Sequence, residues 1–175
     1  MSTNSMIFKL SEDKKQVQGI YCHWNGYING VGYVLQTFYQ DAKKVEKLIA
    51  LGNISSLGKY VEASEAVQKF GFYPATSEEF LKLDPAKQNR LLAEEPYYTV
   101  AYHRDRGEAK HFMEMTYNEF QDCLEKDSFQ YSGPEYIYLL VPTKSGHKWL
   151  VSSYSKVFDV WGYLQDLSVE INETK

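Results

Sequence analysis

VQGIYCHWNGYINGVGYVLQTFY, residues Val17 to Tyr39, holds the passage from strand to helix around which the rest of the chain is read. Val17, Ile20, Tyr21 and Trp24 are β-branched or aromatic and predict a strand over Val17–Trp24. Asn25 to Gly32, NGYINGVG, places three glycines in eight residues and reads as a loop. Val34, Leu35 and Phe38 then fall on one helical face, predicting a helix over Tyr33–Tyr39.

Upstream, Met6 to Leu10 alternates apolar and polar residues, and Ser11 to Lys15 is a charged turn, so a tight hairpin precedes the loop. Met1 to Ser5 is small and polar and is expected to fray. Downstream, Asp41 is placed to cap a helix carrying Val45, Leu48 and Ile49, which Gly52 ends. Ser64 to Lys69 predicts a short helix. Thr76-Ser77-Glu78-Glu79 fits a capping box, and Asp84-Pro85 fits a second helix start. Tyr97 to Tyr102 reads as a strand, Arg104 to Glu108 as a charged turn and His111 to Met115 as the returning strand. Thr116-Tyr117-Asn118-Glu119 is a further capping box, before Phe120, Cys123 and Leu124. Tyr136–Val141 and Lys148–Ser152 flank a hairpin turn, Thr143-Lys144-Ser145-Gly146. Val157, Val160, Trp161, Leu164 and Leu167 are spaced for an amphipathic helix, with Gly162 against it. The expected architecture is a single α+β domain over residues 1–175, with a mainly antiparallel sheet and helices packed on one face.

At 175 residues the chain is one domain's length and needs no disulfide or metal to fold. Its 19 basic and 23 acidic residues leave a net charge of −4, which gives no bulk attraction for nucleic acid or an anionic membrane, though a local basic site stays open. Cys22 and Cys123 form no disulfide framework and predict free thiols in a reducing cytoplasm. Met1 to Leu10 has no long apolar core and predicts no signal peptide. The longest apolar run, Tyr136–Val141, is too short to cross a membrane.

Two constellations carry potential chemistry. In the first, His23, Trp24, Asn25 and Tyr27 stand beside Gly30 and Gly32. A glycine loop entering a helix can aim amide N–H groups at an anion, yet the spacing matches neither a P-loop nor the dinucleotide fingerprint. A tight turn using glycine's conformational freedom, with Trp24 and Tyr27 as packing, is the plainer account. In the second, His103, Arg104, Asp105, Arg106 and Glu108 could hold a phosphorylated ligand through paired guanidinium groups, with His or Glu moving protons. A solvated hairpin turn again explains the same residues. No paired Cys or His spacing predicts a metal site, and no G-x-S-x-G element predicts a nucleophilic serine. No cofactor is expected, and no catalytic residue is assigned.

The run Gly19 to Tyr27 with Gly30-Val31-Gly32, the stretch VEKLIALGNISSLG at Val45–Gly58, and AYHRDRGE at Ala101–Glu108 resemble a family of small proteins of phages, prophages and plasmids. Members of that family usually carry Asp where this chain has Asn25. The resemblance implies mobile-element biology. The expected function is therefore that of an accessory protein in the host cytoplasm, binding a host or defence protein or a small anionic, nucleotide-like ligand. The alternative is a small enzyme acting on a phosphorylated or nucleotide substrate. If both constellations stand at aligned ends of neighbouring strands, they form one site.

Overall fold

The computed structural model describes residues 2–129 and 133–173. The predicted hairpin forms from β1 (Ser5–Leu10) and β2 (Gln16–Cys22). Ser5 is fully buried in β1, so ordered structure begins inside the stretch expected to fray. A wide π-helical turn, Ile28–Gly32, runs directly into α1 (Tyr33–Phe38). Asp41 caps α2 (Ala42–Ile49) by accepting the Lys43 amide. After β3 (Ile54–Ser56) come α3 (Glu65–Phe70), α4 (Glu78–Leu81) and α5 (Pro85–Glu94). Asp84 caps α5 as expected, and Ser64, within the short helix expected there, caps α3. The box at Thr76–Glu79 does not form: Ser77 precedes α4 without a side-chain cap, and the Thr76 hydroxyl donates to the Tyr73 carbonyl.

Next come β4 (Val100–Ala101), α6 (Tyr102–Arg106), β5 (Met113–Thr116) and α7 (Tyr117–Lys126). The Thr116–Glu119 capping box is complete. The chain closes with β6 (Tyr136–Thr143), β7 (Gly146–Ser155), β8 (Val160–Trp161), β9 (Gln165–Asp166) and α8 (Leu167–Glu173). One open sheet runs in the order β4-β3-β2-β1-β6-β7-β8, with β5 beside β2 and β9 beside β7. Most neighbours are antiparallel; β1–β6 and β2–β3 are parallel. The fold class is α+β.

Alternation on the strands divides the core between both faces of the sheet. Ile7, Ile20, Tyr138, Leu140 and Trp149 face Leu35 of α1, Val45 and Leu48 of α2, and Leu167 of α8. Met6, Phe8, Val17, Ile137 and Leu139 face the other way, onto Phe120 of α7 and Trp161. Helices therefore lie on both faces rather than one, because the outward residues of β1 and β6 are as apolar as the inward ones. Gly19 pairs with Phe8 across β1–β2, and a Cβ there would meet the Phe8 ring at 2.1 Å. The ring lies in that gap and packs edge-on against Phe120, 5.0 Å away. Burying such a side chain stabilises the fold by about 1.5–3 kcal/mol. The helices α3 to α5 share a small core of their own, Ala66, Phe80 and Leu91.

Four expectations change. The strand over Tyr97–Tyr102 contracts to Val100–Ala101, because Tyr102 already begins α6. The charged turn at Arg104–Glu108 is mostly that helix, closed by Gly107 at φ 73°, whose amide donates to the His103 carbonyl. The returning strand, β5, pairs with β2 and not with β4. The tail is not one helix: Tyr154 pairs with Trp161 across β7–β8, a conformation that brings the indole into the second core.

Register aligns one end of the sheet. Cys22 pairs with Ser5, Ser5 with Tyr136, and Tyr136 with Ser153. Beyond that row lie the glycine loop and the β7–β8 turn. Buried hydrogen bonds hold this end: the Tyr138 hydroxyl donates to the Gly26 carbonyl at 2.8 Å, and the Tyr39 hydroxyl to that of Gly58 at 2.8 Å.

Candidate functional site

The glycine loop is a closed hydrogen-bonded knot. Gly26 N donates to Thr3 O, Val31 N to Asn25 O, and Gly30 N and Gly32 N to Tyr27 O. The amides of all three loop glycines, and that of Val31, are bonded to the protein's own carbonyls. Gly30 and Gly32 answer to space: a Cβ on Gly30 would sit 2.3 Å from the Asn25 carbonyl oxygen, and one on Gly32 3.2 Å from the Tyr138 ring. Asn25 lies at φ 58°, in the left-handed region that Asn and Asp tolerate best after Gly. That gives a conformational reason for the Asn or Asp at this position.

His23 and Tyr21 share a face of the chain, two residues apart, and the Tyr21 hydroxyl meets His23 Nδ1 at 2.9 Å. Burial first, then the neighbouring Tyr102, push the Tyr21 phenol up to about 12. Trp24 packs edge-on against the His23 ring at 4.8 Å, and the residue is 48% exposed. Tyr27 and Tyr33 are also exposed. Between Tyr21 and Trp24 the Cys22 thiol points into the core, where burial pushes it up to about 12.

The second constellation is a cap on the sheet's edge. Among the described residues, β4 is the edge strand of the sheet. Asp105 Oδ2 accepts the Ala101 amide at 2.7 Å. Arg104 Nη2 donates to the Thr99 carbonyl at 2.6 Å, Arg104 Nη1 to that of Val61 at 2.8 Å, and Arg104 Nε to Asp105 Oδ1 at 2.7 Å. Arg104 and Asp105 thus satisfy edge groups that would otherwise invite another strand. His103 Nδ1 contacts the Glu108 carbonyl at 2.6 Å. Arg106 lies in an aromatic cradle, its guanidinium carbon 4.6 Å from the Phe72 ring and 4.9 Å from Tyr102, and it pairs with Glu108. Glu108 raises the Arg106 guanidinium further above its ordinary value.

β3 separates the two constellations. Ile54 pairs with Cys22 on one side and Ala101 on the other, so the blocks start level, two strand spacings apart, roughly 10 Å. They then diverge, because β2 and β4 run in opposite directions. Tyr102 is the link between them: it feels Tyr21 on one side and Arg106 and Glu108 on the other, and burial raises its phenol. Tyr21 was legible from its spacing to His23. Phe72 and Tyr73 were not, since they come from a distant loop with no local signal. Among the described residues, no group of three or more His, Cys, Asp or Glu is placed to hold a metal ion, and no helix is long and apolar enough to cross a membrane. Comparisons with family models, curated proteins and solved structures find no match to this chain.

Proposed function

We propose that the protein acts by binding, as an accessory protein whose target is a host or defence protein. One observation carries this reading: the two ends of the sheet differ in chemistry. Trp24, Tyr27, Val157 and Phe158 are exposed beyond the Cys22–Ser153 row. The turns at the other end, Ser11–Lys15 and Thr143–Gly146, are polar and charged. Exposed aromatic side chains gathered at one end are the usual anchors of a protein interface. The donors that a small anionic ligand would need are largely engaged inside the chain: loop amides on carbonyls, Arg104 on the sheet edge, Arg106 on Glu108. The resemblance to phage, prophage and plasmid proteins supports a target in the host cell.

The test is the double variant Trp24→Ala/Tyr27→Ala. It is expected to lose stoichiometric co-purification of the target from host lysate while its thermal midpoint stays within about 2 °C, as exposed side chains contribute little to folding. Repeated turnover of a nucleotide by trace wild-type protein would overturn the reading in favour of an enzyme.

A further inference from the structure

The chain pairs many of its cations with carboxylates, as in Lys9–Glu46, Lys69–Glu65 and Lys148–Asp166. Other lysines carry no such partner among the described residues, and four of these lie on α2 and on the segment it holds. Lys43, Lys44, Lys47 and Lys59 have no carboxylate within 4.0 Å among the described residues, although the whole chain carries a net charge of −4. α2 sets Lys43 and Lys47 one turn apart on its exposed side. Lys44 Nζ donates to the carbonyls of Lys59, at 2.7 Å, and Phe38, at 2.9 Å, which fastens the Lys59 segment against the helix. The nearby acids are otherwise engaged or out of contact: Asp41 caps α2, and Glu62 acts on Lys44 only through space. Lys44 and Lys59 are thus held together against their own repulsion, which Glu62 and Asp41 offset in part.

Aromatic rings adjoin them. Lys59 Nζ lies 5.2 Å from the ring centres of both Phe38 and Tyr60. Tyr60 packs against Tyr98 at 5.1 Å, and its amide donates to the Tyr97 carbonyl. Tyr60 and Tyr97 are both exposed. Ammonium groups beside exposed rings suit a ligand with a phosphate backbone and flat bases. An acidic protein surface would meet the same lysines; Tyr60, with Lys59 beside its ring, offers the flat face on which a base stacks, and the experiment separates the two.

We propose that the α2–Tyr60 surface binds single-stranded nucleic acid without sequence preference, with Lys43, Lys47 and Lys59 on backbone phosphates and Tyr60 and Tyr97 stacked on bases. The surface shares no residue with the Trp24–Tyr27 end, so this proposal stands independently of the protein-binding reading.

The experiment is fluorescence anisotropy of a labelled oligothymidylate against the full-length protein over a range of salt. Binding is expected at low salt, with a log–log salt slope of about −2 for three phosphate contacts. Lys43→Ala/Lys47→Ala is expected to weaken binding at least about tenfold and to flatten that slope. Tyr60→Ala is expected to weaken binding about fivefold or more with the slope unchanged. Lys126→Ala, on α7 at the opposite face of the sheet, serves as the control and leaves affinity as it was. No binding at low salt overturns the proposal. So does preferential binding of a polyglutamate peptide, sensitive to the lysine variant and insensitive to Tyr60→Ala, which assigns the surface to an acidic protein.

Discussion

Asp105 closes the edge of the sheet by accepting the Ala101 amide four residues before it, and Arg104 does the same from the acceptor side through Thr99. The two neighbouring side chains of one short helix thereby replace the strand that β4 lacks. A segment whose residue types suggest a solvated turn is instead a fastening between α6, β4 and the Val61 segment.

Arg104→Ala and Arg106→Ala should therefore part company. Loss of Arg104 leaves two carbonyls and a carboxylate without their donor, and is expected to cost about 2 kcal/mol, discounted for partial exposure. Arg104→Lys should rescue little, because an ammonium cannot span Val61, Thr99 and Asp105 together. Arg106→Ala removes an exposed ion pair and a stacking contact and should cost clearly less than Arg104→Ala. Urea unfolding of the three variants checks this; equal losses at both positions would refute the edge-cap role.

Asn25 tests whether its position matters for conformation or for a carboxylate. At φ 58°, Asn25→Asp and Asn25→Gly should each lie within about 0.5 kcal/mol of wild type, whereas Asn25→Val should lose about 1–2 kcal/mol. If Asn25→Asp brings a new activity or a metal affinity, the conformational explanation fails. Calorimetry with and without added divalent ions reads both outcomes.

Alkaline stability follows from the buried phenols. Burial raises Tyr39 from 10.0 to about 12, Tyr21 likewise, and Tyr138 well above its ordinary value. Above pH 10 the unfolded chain releases these protons while the folded one keeps them. Stability is thus fully present below pH 10 and falls as pH rises from 10 toward 12. Ultraviolet titration of the native protein should show a subset of tyrosines ionising only as the fold is lost, and Tyr39→Phe should reduce the pH dependence.

The thiols should separate just as sharply. Cys22 is fully buried, and burial pushes it up to about 12, whereas Cys123 is partly accessible on α7. A thiol reagent at neutral pH is expected to label Cys123 in the native protein and Cys22 only at the rate of unfolding. Cys123→Ser should abolish the fast phase alone.

Gly26 is held by space. A Cβ there would lie 2.7 Å from the Asn4 carbonyl carbon and 2.8 Å from the Thr3 carbonyl oxygen. Gly26→Ala is expected to cost about 1–3 kcal/mol and to break the Gly26–Thr3 hydrogen bond, which hydrogen exchange at the Gly26 amide will show. Unchanged protection there would mean that the N-terminal segment is not fastened to the loop.

Local chemistry was legible wherever a few adjacent residues decide the outcome. The β1–β2 hairpin, the caps at Asp41, Asp84 and Thr116, and the β6–β7 hairpin all follow from side chains acting on their own neighbours. The α+β class follows from their order. Contacts between distant residues decided the rest. Ala101–Arg106 is a strand end and a helix because Val61 and Thr99 receive Arg104, and Val157–Leu167 turns back as strands because Trp161 finds the second core. Lys44 likewise meets the Lys59 carbonyl only across fifteen residues of chain. Local spacing carries no record of such meetings, since the free energy that selects them appears only when distant residues share the same water-excluded space.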